Sequence, residues 1–300
     1  MNSKIIRALI ISALSYTPFL NIIAYRRSAL KDPEQYGLAI WLKNLTHAQK
    51  AKPERSFSDI IELGPGSTLG AGLWARLLGC DSYTAIDAFT LTDSERNRKL
   101  LNNIEQKTPR GVFNDTFKRF NLDPEKIAHM VDERMPHVRA DLESLYDGNQ
   151  SKTLSYVTPE QAASSIPDSS VDLVFSHAVL EHVENIQFVL DETYRMLRPG
   201  GCSSHSVDLS SHNTHSEWNG HWTYSDTLWK VICGNRSYLI NRNPVSQYEK
   251  ALLKSGFEIE IFQKGTRENR IDRHNLIPRF KNLSETDLTT ANLLFTATKQ

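Results

Sequence analysis

Residues 60–70, Ile-Ile-Glu-Leu-Gly-Pro-Gly-Ser-Thr-Leu-Gly, set an acid and two glycines at the end of an apolar run, a spacing suited to cradling a nucleotide-type ligand. Gly64 and Gly66 allow a tight turn and a close backbone approach that a Cβ would block, and Thr68 to Leu78 then reads as a helix. A second apolar run, Tyr83 to Ile86, ends in Asp87. That is about 20 residues past the turn, where doubly wound sheets place an acid for ribose hydroxyls. A further concentration of chemistry lies downstream. Six of the ten histidines, His177, His182, His205, His212, His215 and His221, fall between residues 177 and 221, with Asp208 among them. Imidazole and carboxylate together can take and hold a proton near neutral pH.

The detail of the turn distinguishes between ligands. A dinucleotide needs its pyrophosphate on a helix N-terminus, usually with a third glycine three residues after the second. Leu69 holds that place here, and Gly70 comes one later. Glu62 would repel a pyrophosphate but suits a ligand bearing an ammonium and a sulfonium, and S-adenosylmethionine (SAM) is such a ligand. Gly-x-Gly also occurs in ordinary turns, so this reading rests on Glu62 and Asp87 as much as on the glycines.

Elements must hold these residues. Glu34 to Leu45 reads as a helix, Ala48 to Arg55 as a polar linker with Pro53, and Asp59 to Leu63 as the first core strand. The charged, weakly apolar stretch from Leu91 to Asn149 is too long for a loop and reads as an inserted helical layer, clearest over Ala128 to Leu145. Thr153 to Val157, Val171 to Phe175 and Cys202 to Leu209 are further strands, Val183 to Leu197 and Ser246 to Ser255 further helices. Phe257 to Gln263 with Asn292 to Thr298 would close the sheet as a late hairpin. The alternation indicates an open, doubly wound α/β sheet. We expect an N-terminal helical segment over 1–55 and one domain over 56–300, with the insertion at about 90–150 and an aromatic-rich cap at about 210–245.

Composition narrows the partners. Lys plus Arg equals Asp plus Glu at 35 each, so no net field favours nucleic acid, and no dense basic run carries interleaved aromatics. Cys80, Cys202 and Cys233 are odd in number and never in a Cys-x-x-Cys spacing, which argues for a reducing, cytoplasmic compartment and against structural zinc. Ala8 to Tyr25 carries no charge and is flanked by Lys4 and Arg7 on one side and Arg26, Arg27 and Lys31 on the other. Pro18 and the polar Ser12, Ser15, Thr17 and Asn21 oppose a membrane span. A helical pair packed on the protein, membrane-surface contact through residues 5–27 and a true span stay open as readings.

At Val171-Asp-Leu-Val-Phe-Ser-His-Ala-Val-Leu-Glu-His-Val183, followed by Met196-Leu-Arg-Pro-Gly-Gly201, the chain resembles class I SAM-dependent methyltransferases. With Glu62-Leu-Gly-Pro-Gly66 and Ile86-Asp87, the likeness covers roughly residues 58–210. It implies a mostly parallel, seven-stranded Rossmann-like sheet with an antiparallel last hairpin, and SAM across the ends of its first, second and fourth strands. On that likeness the Gly64 to Gly66 turn holds the amino-acid part of SAM, with Glu62 at its ammonium and Asp87 on both ribose hydroxyls. Glu160 would lie near the adenine, and Ser176 and His177 would line the pocket by the methyl group. His205 to His212 and Trp229 to Ser246 are similar to methyltransferases of bacterial polysaccharide and glycolipid biosynthesis, although Ser211 stands where those relatives often carry an acid. The acceptor implied is a saccharide hydroxyl, the rivals being a small phenol or amine, or a SAM-binding scaffold without turnover.

A hydroxyl acceptor needs a base, and Asp208, His212 and His177 are the candidates, with His205 behind them. Trp218, Trp222 and Tyr238 could stack on sugar faces, or equally pack a cap over the core. Arg242, like Arg236, could grip a phosphate or carboxylate. Glu181-His182 resembles part of a Glu-x-x-Glu-His metal pattern found in ubiquinone-pathway O-methyltransferases, but Ala178 replaces the first acid. The spacing of Asp208, His212, His215 and His221 is irregular, so no metal is expected.

Overall fold

The computed structural model describes residues 3–14, 16, 32–148, 151, 153–236 and 239–300. Its backbone divides into two compact units: Leu30–His177 with Glu192–His205 and Thr296–Gln300, and Met1–Ala29 with Ala178–Asp191 and Ser206–Phe295. The chain leaves the first unit after His177 and re-enters it twice.

Seven strands form one sheet in the order β3-β2-β1-β4-β5-β7-β6. They are β1 Asp59–Leu63, β2 Ser82–Ile86, β3 Leu154–Val157, β4 Val171–His177, β5 Leu197–Asp208, β6 Glu258–Thr266 and β7 Thr290–Thr298. β1 pairs in parallel with both β2 and β4, and β2 with β3. The hydrogen bonds Leu209 N–H to Ala291 and Lys299 N–H to Gly201 keep a constant sum of residue numbers, which is antiparallel register for β7 against β5. The fold is therefore a Rossmann-like, mostly parallel seven-stranded sheet with an antiparallel last hairpin.

β1 and β4 are buried along nearly their whole length because both faces are covered. Helix Gly70–Leu77 is buried along its whole length, and helix Pro33–Ala51 crosses it closely. A Cβ on Gly37 would lie 2.6 Å from the carbonyl carbon of Gly70, so the approach exists only because both positions lack side chains. Gly70, one place beyond the dinucleotide position, thus serves helix packing. Gly72 does the same toward the sheet, where an added Cβ would lie 2.1 Å from the Tyr83 ring.

The expected insertion between β2 and β3 is three helices, Ser94–Lys107, Asn114–Arg119 and Pro124–Tyr146. The last buries Ile127, Val131, Met135, Val138 and Leu142, a single stripe at helical spacing. At the opposite end of the strands from Asp87, the Asp172 carboxylate accepts from the N–H groups of Ser58 and Asp59 and pairs with Arg55 and Arg198. These contacts hold its pKa below the usual carboxylate range despite burial and pin β1 to β4.

In the second unit, helix Ser3–Leu14 lies on helix Asp226–Cys233, with Ala8 buried beside Tyr224, Trp229 and Ile232. Ser12 donates to the Val231 carbonyl, and Arg236 to the Ala8 carbonyl. For residues 3–14 this is the packed-helix alternative, and among the described residues no helix is long and apolar enough to cross a membrane. The remainder of the 5–27 segment, apart from Tyr16, lies outside the described residues.

Gly37→Ala and Gly72→Ala should each lower stability by about 1–3 kcal/mol through overpacking, read as a drop in unfolding midpoint; an unchanged midpoint in both would refute the close-approach argument.

Candidate cofactor and acceptor sites

The glycine turn leaves β1 with Gly64 at φ 61° and Gly66 at φ 73°, both left-handed, and the Gly64 N–H donates to the Ile86 carbonyl at the end of β2. A Cβ at Gly66 would meet nothing within 4 Å, so the turn borders open space. Leu69 offers no side-chain cap to the helix that follows; its N–H is instead taken by Oδ1 of the buried Asn97, at 2.8 Å. Asn97 is held in turn by Tyr146 and Thr92. This support comes from the insertion, and nothing in the local sequence of the turn signalled it.

Glu62 is buried, and its Oε2 accepts from the Tyr83 hydroxyl at 2.7 Å. Burial raises its pKa to about 7, the Tyr83 hydrogen bond opposing and the Asp87 charge adding to the effect. Asp87 is also raised by burial, with the N–H groups of Phe89, Gly66 and Ala88 partly offsetting it. Its Oδ1 accepts from Phe89, while Oδ2 is buried with no hydrogen-bond partner among the described residues. A buried carboxylate oxygen with spare acceptor capacity fits a ribose hydroxyl, and a buried, half-neutralised carboxylate beside a glycine turn fits an ammonium. The residues present therefore suit SAM.

Of the other expected cofactor residues, Glu160 sits exposed in the first turn of helix Pro159–Ser165. Its pKa is lowered by backbone and Thr158 hydrogen bonding. Ser176 does not present its hydroxyl to a pocket: it is fully buried and shares a 2.7 Å hydrogen bond with Nδ1 of His205, whose Nε2 meets Ser203 Oγ, also at 2.7 Å. Burial pushes His205 down to about 3, so this imidazole is a neutral core group and not a base. His177 closes β4 with a buried Nδ1 that has no partner among the described residues. Burial first, and the Lys43 charge second, hold its pKa below the ordinary histidine value. Tyr36, which sequence reasoning passed over, stands edge-on to the His177 ring at 5.9 Å, and burial and the Glu62 charge raise its pKa.

In the second unit Asp208 and His212 come together, Nε2 to Oδ2 at 3.2 Å. The contact keeps Asp208 below the usual carboxylate range and His212 above the ordinary histidine value, against the effect of burial on each. Both line a cavity of about 430 Å³ with Lys4, Ser210, Ser211, Asn213, His215, Ser216, Trp218 and Arg267. His212 and Asn213 hold φ of 44° and 65°, a left-handed pair of non-glycine residues at its wall. Glu181 is buried with neither carboxylate oxygen partnered among the described residues, and burial raises it to about 7. Among the described residues no three His, Cys, Asp or Glu side chains are grouped to hold a metal ion.

Two acceptor assignments need correction. Trp222 is fully buried, packs on Phe280 and Trp218, and donates its indole N–H to the Arg242 carbonyl. The Arg242 guanidinium is buried over the Trp229 and Phe280 rings and donates to the Tyr224 carbonyl and Asp226. Trp222 thus has the packing role weighed against recognition, and Arg242 is a buried group committed to neighbouring rings, a backbone carbonyl and Asp226. Arg236 is likewise committed to backbone carbonyls, and His221 is a core imidazole pushed to about 3 by burial. Trp218 does line the cavity, and Tyr238 lies outside the described residues.

Residues 134–203, from the last insertion helix to β5, match a family described as methyltransferase domain. The match is to methyltransferases. Solved methyltransferases resemble the chain loosely. An S-adenosylmethionine-dependent methyltransferase from Mesorhizobium loti is 16% identical over 84% of this chain and 95% of its own, with a TM-score of 0.44. A SAM-dependent methyltransferase from Methanosarcina mazei is 15% identical over 82% and 95%, with a TM-score of 0.45. Phosphoethanolamine N-methyltransferase 2 of Haemonchus contortus, in complex with S-adenosyl-L-methionine, is 15% identical over 86% of this chain and 52% of that one, with a TM-score of 0.45. No curated protein matches. Glu62, the glycine turn and Asp87 precede the segment matched to the methyltransferase family.

Because Glu62 gains a proton on folding, its contribution to stability is largest below the unfolded value near 4.5 and is lost as pH rises toward 7. Glu62→Gln should therefore gain stability relative to the native chain as pH rises across that window, by on the order of 3 kcal/mol. Denaturant unfolding of the two proteins at a series of pH values measures the difference; a pH-independent gap would count against a buried, protonated Glu62.

Proposed function

We propose that this chain transfers the methyl group of SAM to a hydroxyl of a sugar-bearing acceptor. The observation that carries the reading is the buried Asp87 with an unused Oδ2 beside a left-handed glycine turn and a buried Glu62. SAM, when bound, supplies a methyl group already activated by its sulfonium. Asp87 would hold the ribose hydroxyls, Glu62 the ammonium, and the turn's backbone the amino-acid portion. Positioning then supplies much of the rate, since displacement at an activated methyl asks mainly for alignment.

A hydroxyl acceptor must also lose its proton. His177 is suited to take it, its pKa held below the ordinary histidine value and its buried Nδ1 without a partner among the described residues at the tip of β4. The Asp208–His212 pair is the less suited base, since the Asp208 carboxylate raises the imidazole pKa above its ordinary value. A saccharide acceptor is favoured by the polar cavity with one tryptophan in its wall. The free thiols of Cys80, Cys202 and Cys233 support a cytoplasmic setting. Ile6 and Ile10 are exposed on the side of helix Ser3–Leu14 opposite Ala8 and Ser12, with Arg7 beside them, and support peripheral contact with an anionic membrane face.

Titration calorimetry should show SAM and S-adenosylhomocysteine binding, weakened about tenfold or more by Asp87→Ala; absence of binding in the native chain sinks the reading. In an acceptor screen led by nucleotide-sugars and lipid-linked sugars, turnover should fall only below the ordinary histidine pKa, and His177→Gln should abolish it with SAM affinity kept. A rate that instead rises through a pKa above that value would transfer the base role to His212. Ile6→Asp should reduce co-flotation with vesicles containing phosphatidylglycerol; equal flotation removes the membrane contact.

A further inference from the structure

Tyr83 carries a hydroxyl that its packing does not require. The ring is fully buried on β2 and fits a notch that Gly72 leaves in helix Gly70–Leu77, a space that a phenylalanine would fill as well. The hydroxyl donates to Oε2 of Glu62 on the neighbouring strand at 2.7 Å. A buried hydroxyl needs a partner, and the partner here is an acid that is itself costly to bury. Packing alone accounts for neither group.

The surroundings of Glu62 supply no counter-charge. The β4 residue opposite it is Phe175, Asp87 beyond the end of β2 adds a second negative charge, and helix Pro33–Ala51 contributes Tyr36, a phenol whose pKa the Glu62 charge raises. Tyr156 of β3 acts on Tyr83 from its other side. Among the described residues no Lys, Arg or His pairs with Glu62, and Oε1 accepts no hydrogen bond. With Oε2 engaged by Tyr83, Oε1 is the oxygen that keeps its full acceptor capacity for a ligand N–H. Burial holds the pKa of Glu62 at about 7, so near neutrality the free chain keeps part of a proton on it. All of these residues lie within Leu30–His177, in one compact unit.

We propose that Tyr83 is a positioning residue for SAM, its hydroxyl holding Glu62 so that Oε1 meets the ligand's ammonium, and that binding is coupled to loss of a proton from Glu62. On the SAM reading above, on which this role rests, Tyr83 and the released proton are additions that SAM binding by itself does not require. The O–H bond of the Glu62 carboxyl breaks, its proton passes to the buffer, and the carboxylate so formed accepts an N–H of the ammonium. No group changes oxidation state.

The test titrates SAM into the full chain by calorimetry, in buffers of different ionisation enthalpy and at about pH 6 and pH 7, below the range in which an α-amino group loses its own proton. The native chain should release about half a proton per SAM at pH 7 and bind about fivefold more weakly at pH 6. Glu62→Gln should remove the proton release and leave only the pH dependence due to Asp87 and the ligand. Tyr83→Phe, which keeps the ring in its notch, should weaken SAM about tenfold at pH 7 and raise the proton count toward one, because the hydroxyl that favours the charged form is gone. Carbon-13 carboxyl resonances of the unliganded chain should show Glu62 titrating at a higher pH in Tyr83→Phe than in the native protein. SAM binding by the native chain without proton release, or unchanged affinity and proton count in Tyr83→Phe, overturns the proposal and leaves SAM binding standing. A chain that binds no SAM, while the Glu62 resonance still moves upward in Tyr83→Phe, overturns the SAM reading and the cofactor role with it, and leaves only the Tyr83 to Glu62 hydrogen bond.

Discussion

A carboxylate buried where charge is costly governs much of this structure. Glu62 sits at the end of a strand covered on both faces, and its ionised form must be stabilised from within the protein. Tyr83 supplies the partner from the neighbouring strand, two residues from Ala85, which stands opposite Glu62, and so on the same face of the sheet. The Tyr83 ring can lie there only because Gly72 has no side chain, and the helix carrying Gly72 is pressed inward by a second helix that meets it at Gly37 and Gly70. One tyrosine and three glycines thus serve one acid. An acid so placed is poised to regain its full charge when a cation arrives, which converts a structural cost into ligand affinity.

The histidines make the complementary point, since one residue type has several fates within a short stretch. His205 and His221 are completely enclosed and neutral, each a hydrogen-bonding or packing element of the core. His215 keeps an intermediate environment and a tautomer dictated by a backbone N–H. His177 combines partial burial with a buried Nδ1 that has no partner among the described residues, His212 combines it with an ionic partner, and their environments push them in opposite directions. Spacing along the chain could not separate these cases. Burial and the identity of the nearest charge do so.

Legibility followed how local each determinant was. The strand ends at Glu62 and Asp87, the left-handed glycines and the order of strands were readable because apolar periodicity and turn chemistry act over a few residues. The late hairpin was also anticipated, but not helix Asp226–Cys233, whose apolar face, with Trp229 and Ile232, was taken as an aromatic cap. Trp222 and Arg242 are ambiguous in sequence because aromatic and basic residues look alike there whether they face a ligand or each other. Ser176 was misjudged for a related reason: its hydroxyl is claimed by a histidine 29 positions away.

The hydrogen bond from the Leu69 N–H to Asn97 gives the insertion a meaning beyond bulk. Asn97 is anchored by Tyr146 at the far end of the inserted helices, so the stretch between β2 and β3 is spliced directly onto the first turn of the helix after the glycines. A segment that is long, charged and outside the core alternation would ordinarily be regarded as a place to trim. Here, shortening it would withdraw the acceptor that terminates the turn. Ligand occupancy at the turn and order in the inserted helices become one thermodynamic quantity, visible as amide protection that rises and falls together across two segments the sequence keeps apart.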